Sequence, residues 1–158
     1  MKIINANTEI SGINGREEVE SLLGSRLNLQ LSTIDDTGYP NIQPVWFSYD
    51  NDKIKLYILT SNTSKKILNI RNNSKVYFSV DDCNIPYKGV KGRGTATILR
   101  DPATVISTAN KISMKYYGSH DSPAAKSLID RSKQQDAVVI EINPKFFSTW
   151  DFGKMQST

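Results

Sequence analysis

The residues best suited to chemistry in this sequence are two hydroxyl side chains and two lysines in one short segment: Thr60, Ser64, Lys65 and Lys66. The apolar spacing after Ser64 predicts a helix over residues 65–72. The first amides of a helix have no partners within it and lie at the positive end of its dipole. Two ammonium groups and two hydroxyls beside those amides predict a site for a phosphate monoester. A second interpretation stays open, in which Ser64 only caps the helix and both lysines are solvated.

A second group of candidates consists of apolar and aromatic side chains: Val45, Trp46 and Phe47 in one run, and Trp150 far downstream. Side chains of this kind can line the pocket of a planar ligand. Aromatic residues in strands are more often part of a core or an interface, so the pattern alone does not assign them to a ligand.

The sequence has one cysteine, Cys83, and one histidine, His120, which excludes several kinds of site. Within one chain they cannot form a disulfide, a Cys/His zinc site or a pair of histidine ligands, so we expect no metal. Any Ser-His-Asp arrangement would depend on His120, which is predicted to lie in a loop between helices. Cys83 follows two aspartates, which do not stabilise a thiolate, so we interpret it as structural or incidental.

The charge is distributed unevenly along the chain. Lysine and arginine number 20 and aspartate and glutamate 16, which gives a net charge of +4. Between Lys53 and Arg100, ten basic and two acidic residues give +8, which leaves −4 for the remainder. This surplus favours an anionic partner. A barrel that binds RNA with a basic face is an alternative. However, only four aromatic residues in this stretch are available to stack on bases, which favours a small anion over nucleic acid.

The length of 158 residues favours a single domain. With 23% charged residues and a mean hydropathy of −0.42, the composition is that of a globular protein, neither disordered nor embedded in a membrane. The first residues turn polar before a secretory signal could form. We therefore expect a cytoplasmic protein with no membrane partner.

Hydrophobic periodicity predicts one domain over residues 1–158 with few helices and many strands. In chain order the predicted parts are a helix over 14–24, a barrel core over 27–100, a helical crossover over 102–134 and final strands over 137–152. The core begins with three strands in an antiparallel meander. The second, residues 39–49, contains two prolines, which predict an edge strand or a bulge. The final strands are predicted to break at Asn143 and Pro144. About seven mostly antiparallel strands with peripheral helices most economically form a barrel.

The order of these features resembles a known family. The segments that carry the resemblance are LQLSTIDDTGYP (29–40), QPVWF (43–47), LTSNTSKK (59–66), ILNIRNNSKV (67–76) and VKGRGTA (90–96). They are similar to the flavin-binding split barrels related to pyridoxamine 5'-phosphate oxidase. The similarity covers residues 20–100 well and the rest by element order.

The resemblance implies a mainly β (α+β) fold, a six- to seven-stranded antiparallel split β-barrel with peripheral helices, which forms a homodimer with FMN held between the subunits. It implies that Thr60, Ser64, Lys65 and Lys66 bind the phosphate of FMN, which agrees with the anion site predicted above. Matched in the same way, the strand with Val45, Trp46 and Phe47 runs beside the isoalloxazine ring, and Trp150 is a looser candidate for a ring or interface contact.

The resemblance also implies an oxidoreductase whose electron donor or acceptor is a small molecule. The C-terminal segment that carries substrate-binding arginine and histidine in the true oxidase has no counterpart after Trp150, so oxidation of pyridoxamine phosphate is not expected. Because the flavin supplies the redox chemistry, no acid or base is identified from the sequence. Two alternatives stay open, a 5-deazaflavin coenzyme in place of FMN and a non-catalytic flavin- or haem-binding module.

Overall fold

The computed structural model describes residues 1–5 and 15–154. Within these residues the strands are β1 (Ile3–Asn5), β2 (Leu29–Ile34), β3 (Pro40–Val45), β4 (Ser48–Asp50), β5 (Lys55–Ser61), β6 (Lys75–Asp82), β7 (Lys88–Leu99) and β8 (Ala137–Asp151). The helices are α1 (Arg16–Gly24), α2 (Lys65–Asn72), α3 (Pro102–Tyr117) and α4 (Pro123–Ser132), and a short 3-10 turn follows at Phe152–Lys154. Residue 14, the predicted start of the first helix, lies outside the described residues.

The strands form one sheet that curls into a split barrel. Neighbouring strands follow the order β3-β2-β6-β7-β8-β5-β4, all antiparallel, and β1 adds to β8 in parallel. β3 and β4 lie at opposite ends of this order, yet only Trp46 and Phe47 separate them in the chain. Three peptide units span at most about 11 Å, so the two ends of the sheet must meet. No ladder joins β3 to β4 in the described part of the chain, and we call the connection Trp46-Phe47 the seam.

This architecture confirms the predicted mainly β split barrel with peripheral helices. The predicted meander of three strands is wrong, because residues 39–49 contribute two short strands with different neighbours. β3 pairs with β2 and β4 pairs with β5, whose other neighbour is β8. Alternation of apolar residues has the same period whichever strand is the neighbour, so it could not reveal this division. The edge position predicted from the prolines is confirmed, since β3 and β4 end the order.

The predicted break at Asn143 and Pro144 is also wrong, since β8 runs through both residues. The β7–β8 ladder accommodates the proline by a register shift. Arg93 lies opposite Phe146 and Gly94 lies opposite Pro144, so Lys145 of β8 is the extra residue. A Cβ at Gly94 would lie 2.4 Å from the carbonyl oxygen of Asn143, so the close approach requires glycine. Val90 and Ala96, on the same face of β7 as Gly94, are buried in the core.

The helices cover the barrel with apolar faces that the sequence predicted. Val19, Leu22 and Leu23 of α1 are buried in the main core, as are Ile67 and Ile70 of α2. A buried hydrogen bond also fixes α2 on the sheet, because its Asn69 side-chain amide donates to the hydroxyl of Thr33 in β2 at 2.9 Å. α2 therefore begins at a fixed position beside the end of β5.

Candidate functional site

The side chains of Thr60, Ser64 and Lys66 lie together where β5 ends and α2 begins, and we call them the α2 cluster. The Lys66 ammonium donates to the Thr60 hydroxyl at 3.2 Å, and that hydroxyl donates to the Ser64 hydroxyl at 3.3 Å. Two amides of the first helical turn donate back to the Ser64 carbonyl, those of Ile67 at 3.0 Å and Leu68 at 3.2 Å. The amides of Lys65 and Lys66 come before these bonds and have no carbonyl within the helix to which they could donate.

Lys66 has a cationic side chain with no carboxylate beside it among residues 1–5 and 15–154. The side chain is partly buried, and none of the salt bridges in the described residues includes it. Burial lowers the pKa of its ammonium below the ordinary value, because the charged form is the one that loses solvation. A bound anion would relieve this penalty, so the cluster is suited to a negatively charged group.

Ser64 occupies the N-cap of α2, but its side chain does not cap the helix. The N-cap side chains of the next two helices do, since Asp101 accepts from the amide of Thr104 in α3 and Ser122 accepts from the amide of Ala125 in α4. The interpretation of Ser64 as a simple cap is therefore wrong for its hydroxyl, which bonds to Thr60 instead. The first amides of α2 are left open to a ligand.

Lys65 differs from its neighbour. Its ammonium lies 3.0 Å from the carboxylate of Asp36, in the turn between β2 and β3, and both side chains are exposed. The same hydrogen bond lowers the pKa of Asp36. The structure thus brings Thr60, Ser64 and Lys66 together, but it directs the Lys65 charge away from them.

The loop that leads into α2 is held in place from both sides. The Ser61 hydroxyl donates to the carboxylate of Asp136 at 2.8 Å, and the amide of Asn62 donates to the carbonyl of Asp136 at 2.7 Å. From the last turn of α2, the Arg71 guanidinium donates to the side chain and carbonyl of Asn62. The α2 cluster is therefore built on a loop with a fixed conformation.

Asn41 of β3 is a candidate that the sequence did not identify. It pairs with Thr33, whose hydroxyl accepts from Asn69, three residues after Lys66 on the same side of α2. The buried side-chain oxygen of Asn41 has no hydrogen-bond partner among the described residues. It can accept from a ligand donor placed between α2 and β3. Only the pairing of β2 with β3 reveals this position, since an asparagine in an edge strand is unremarkable by itself.

The seam residues have side chains that are largely engaged by the protein. Trp46 stacks on Tyr116 of α3, with ring centroids 4.5 Å apart and an interplanar angle of 7°. Phe47 is fully buried in the core, and Val45 packs against that core from the end of β3. These residues can meet a ligand through their backbone and through the exposed edge of Trp46.

Trp150 lies at the other end of the barrel from the α2 cluster. Thr60 pairs with Val138 near the start of β8, whereas Trp150 is twelve residues further along the same strand, opposite Gly89. That is about 40 Å of extended strand. A Cβ at Gly89 would lie 2.2 Å from the Trp150 ring, so this glycine lets the ring lie across β7. Within one chain, Trp150 and the α2 cluster therefore lie near opposite ends of β8.

The cysteine and the histidine do not form a site with other reactive side chains in the described part of the chain. Cys83 and His120 are both exposed, and His120 lies between α3 and α4 as expected. The described residues contain no group of three or more His, Cys, Asp or Glu side chains able to hold a metal. Among the helices in that part of the chain, none has the length and apolarity needed to cross a membrane.

Comparisons with known proteins agree with the fold. A conserved hypothetical protein of Mycobacterium tuberculosis has a similar structure, with a TM-score of 0.79 and 20% identity over 96% of this chain and 94% of that chain. The heme storage protein HutZ of Vibrio cholerae has a TM-score of 0.65 and 18% identity over 82% and 89% of the two chains. At these identities the likeness shows the fold alone.

A protein described as an F420 reductase is more similar in sequence, with 30% identity over 85% of this chain and 98% of that chain and a TM-score of 0.67. No curated protein matches the chain. The family model described as pyridoxamine 5'-phosphate oxidase matches residues 16–151, which include the α2 cluster, the seam and Trp150. The chain belongs to the pyridoxamine 5'-phosphate oxidase family.

Proposed function

We propose that this protein is an oxidoreductase that binds a flavin-type cofactor by its phosphate at the α2 cluster. The observation that carries the proposal is Lys66, a partly buried ammonium that has a hydroxyl partner at 3.2 Å but no carboxylate among the described residues. It lies on the first turn of a helix whose N-cap side chain leaves the amides open. These donors fit a phosphate, which needs both charge and several hydrogen bonds.

The rest of the cofactor would extend from the α2 cluster along β3 toward the seam. Asn41 supplies an acceptor with no partner in the described chain at the near end of this path, and Val45 and the seam lie at the far end. β3 is an edge strand, so part of its backbone faces away from the sheet and is available to a ligand. When bound, the cofactor would supply two-electron redox chemistry. The contribution of the chain is to bind and orient it and to exclude water.

FMN is the first candidate because a phosphate monoester matches the donors of the α2 cluster. The deazaflavin coenzyme F420 is the second, and the observation that favours it is the F420 reductase that shares 30% of its residues with this chain. The two candidates differ in their absorption spectra and masses, so binding itself can distinguish them.

The experiment that tests this function is identification of the cofactor. The freshly purified protein is denatured, any released ligand is identified by mass spectrometry, and the protein is then titrated with FMN and with F420. Binding of either supports the proposal. Bleaching of the bound cofactor by NADH or NADPH, or by reduced F420 where FMN is bound, would identify the electron donor. A protein that neither carries nor binds FMN or F420 would contradict it.

We also propose that the working unit is a homodimer with two identical cofactor sites. The support is the separation of Trp150 from the α2 cluster, since a two-fold axis can bring the Trp150 end of one chain to the α2 cluster of its partner. In this arrangement each site takes its phosphate donors from one chain and an aromatic wall from the other. Tight flavin binding by a protein that is monomeric in light scattering would contradict this arrangement.

A further inference from the structure

The last turn of α3 packs directly on the seam between β3 and β4. Tyr116 stacks flat on Trp46, with centroids 4.5 Å apart, and Tyr117 meets the same indole edge-on at 5.2 Å. Because β3 and β4 share no ladder, hydrogen bonds within the sheet do not fix how the chain passes from one to the other. The position of the seam therefore depends on what packs against it.

The hydroxyl of Tyr116 links two otherwise separate segments. It donates to the carbonyl of Leu27 at 2.9 Å, just before β2, and accepts from the amide of Phe47 at 3.4 Å. Burial raises the pKa of this phenol to about 12, so the hydroxyl stays neutral and can donate and accept at the same time. One side chain thus sets the backbone of the seam relative to the start of β2.

Lys115 reinforces this contact from the neighbouring position. Its ammonium lies 3.4 Å from the centroid of the Phe47 ring and donates to the carbonyl of Leu23 at 2.7 Å, near the end of α1. Phe47 is therefore held through its ring by Lys115 and through its amide by Tyr116. α3 joins α1, the start of β2 and the seam in one set of contacts.

We propose that Tyr116 is a positioning residue for the cofactor site, because its hydroxyl and ring fix the seam backbone against which the cofactor ring lies. This inference rests on the proposed function, since it concerns the same cofactor. Tyr116 acts through Trp46 and Phe47, so it changes the fit of the ring and leaves the phosphate donors of the α2 cluster intact.

The test compares Tyr116→Phe with Tyr117→Phe in titrations with FMN, and with F420 if that is the cofactor bound. Tyr116→Phe removes the hydroxyl and keeps the stacked ring. Tyr117 is a matched control, because its ring touches Trp46 but its hydroxyl has no hydrogen bond in the described residues. We expect Tyr116→Phe to weaken binding roughly three- to tenfold and to shift the absorption maximum of the bound cofactor, because both hydrogen bonds of the hydroxyl are lost. Tyr117→Phe should change neither the affinity nor the absorption maximum.

Fluorescence of the cofactor-free protein shows whether a variant changes the packing of the seam before any cofactor binds. In a Trp150→Phe background, Trp46 is the only tryptophan, so its emission reports the seam. Tyr116→Phe should shift this emission in the free protein, whereas Tyr117→Phe should leave it nearly unchanged. If Tyr116→Phe does not fold, Tyr116→His, which also removes the phenol hydroxyl and keeps an aromatic ring beside Trp46, replaces it in both measurements and should weaken cofactor binding in the same way.

The outcomes distinguish the two proposals. If the wild-type protein binds the cofactor and Tyr116→Phe binds it with unchanged affinity and spectrum, the positioning role is wrong and the proposed function stands. If the wild-type protein binds neither FMN nor F420, both are wrong.

Discussion

Lys65 and Lys66 are adjacent in sequence and identical in type, yet the fold gives them different surroundings. Consecutive residues of a helix point about 100° apart, so only one of the two can face the end of β5. Lys66 does so and meets Thr60, while Lys65 reaches Asp36 on the other side. The start of the helix was predicted correctly from the sequence. The sequence could not distinguish the surroundings of the two lysines, because these depend on the position of the β2–β3 turn.

The first prediction compares these lysines. Lys66→Ala should weaken FMN affinity by about 10- to 100-fold, because it removes a charge-assisted hydrogen bond from a partly buried site. Lys65→Ala is the matched control and should change the affinity less than about threefold, since its exposed ammonium is already paired with Asp36. Isothermal titration of both variants provides the measurement. Equal losses in the two variants would show that the Lys65 charge turns toward the phosphate.

Lys115 leads to a prediction about pH. Burial lowers the pKa of its ammonium from 10.5 to about 7 in the folded protein. Between these values the unfolded chain holds a proton that the folded chain has released, so this group makes the free energy of unfolding rise with pH. Relative to Lys115→Met, the free energy of unfolding of the wild-type protein should increase by at least about 1 kcal/mol between pH 7 and 10, measured by urea denaturation.

Lys111→Met provides the control for this profile, because Lys111 is exposed one turn earlier on the same helix. Two nearby phenols, those of Tyr49 and Tyr116, have pKa values raised to about 12 and do not titrate in this range. The Leu23 carbonyl and the Phe47 ring favour the charged form of Lys115 and oppose the shift. If the difference in free energy of unfolding between wild type and Lys115→Met does not change with pH, these contacts outweigh the effect of burial on the Lys115 ammonium.

Helices and strands were predicted correctly where the signal lies within their own residues, and they were missed where the strand depends on pairing with a distant segment. α2 has the predicted bounds, because a helix start and its apolar spacing are properties of the segment itself. β1 was not predicted, since three residues form a strand only through their parallel pairing with β8. The sequence did not separate β4 from β3, because only their different neighbours, β5 and β2, divide them. The α2 cluster was predicted because one strand end and one helix start contain all of it, whereas Asn41 depends on pairing between strands.

The attachment of α2 to the sheet provides a testable prediction. Thr33→Val leaves the buried amide of Asn69 without its acceptor, which should reduce the free energy of unfolding by about 1–3 kcal/mol in urea. The same change at Thr97, which is exposed on β7, should cost less than about 0.5 kcal/mol. The double variant with Asn69→Leu should recover part of the loss. Equal effects at the two threonines would mean that the buried hydrogen bond contributes little.

For the whole molecule, the positive surplus between Lys53 and Arg100 is spread over several surfaces. Lys55 forms a salt bridge with Glu141 at 2.8 Å, which removes it from any anion site. Lys75, Arg93 and Lys145 line a groove of about 690 Å³ on the face of β6 and β7 that points away from the core. The net charge therefore favours an anionic partner in general, whereas the local surroundings of Lys66 favour one candidate site.

A dimer whose sites combine two chains can be tested by complementation. We expect Lys66→Ala and Trp150→Ala homodimers both to bind FMN weakly. In a mixed dimer with one variant chain of each kind, one site contains both changes and the other contains neither. Purified mixed dimers with two different tags should then bind about one FMN per dimer with wild-type affinity. No recovery would place both residues at one site within a single chain or assign Trp150 another role.

β8 is late in the chain and central in the sheet, where it pairs with β1, β5 and β7. During synthesis, the edges of β5 and β7 remain unpaired until residues 137–151 have left the ribosome. Most of the barrel must then form at once from contacts far apart in sequence, which is a slow kind of folding. A nascent chain that stalls before β8 would expose two long strand edges, which makes it a natural target for chaperones and proteases.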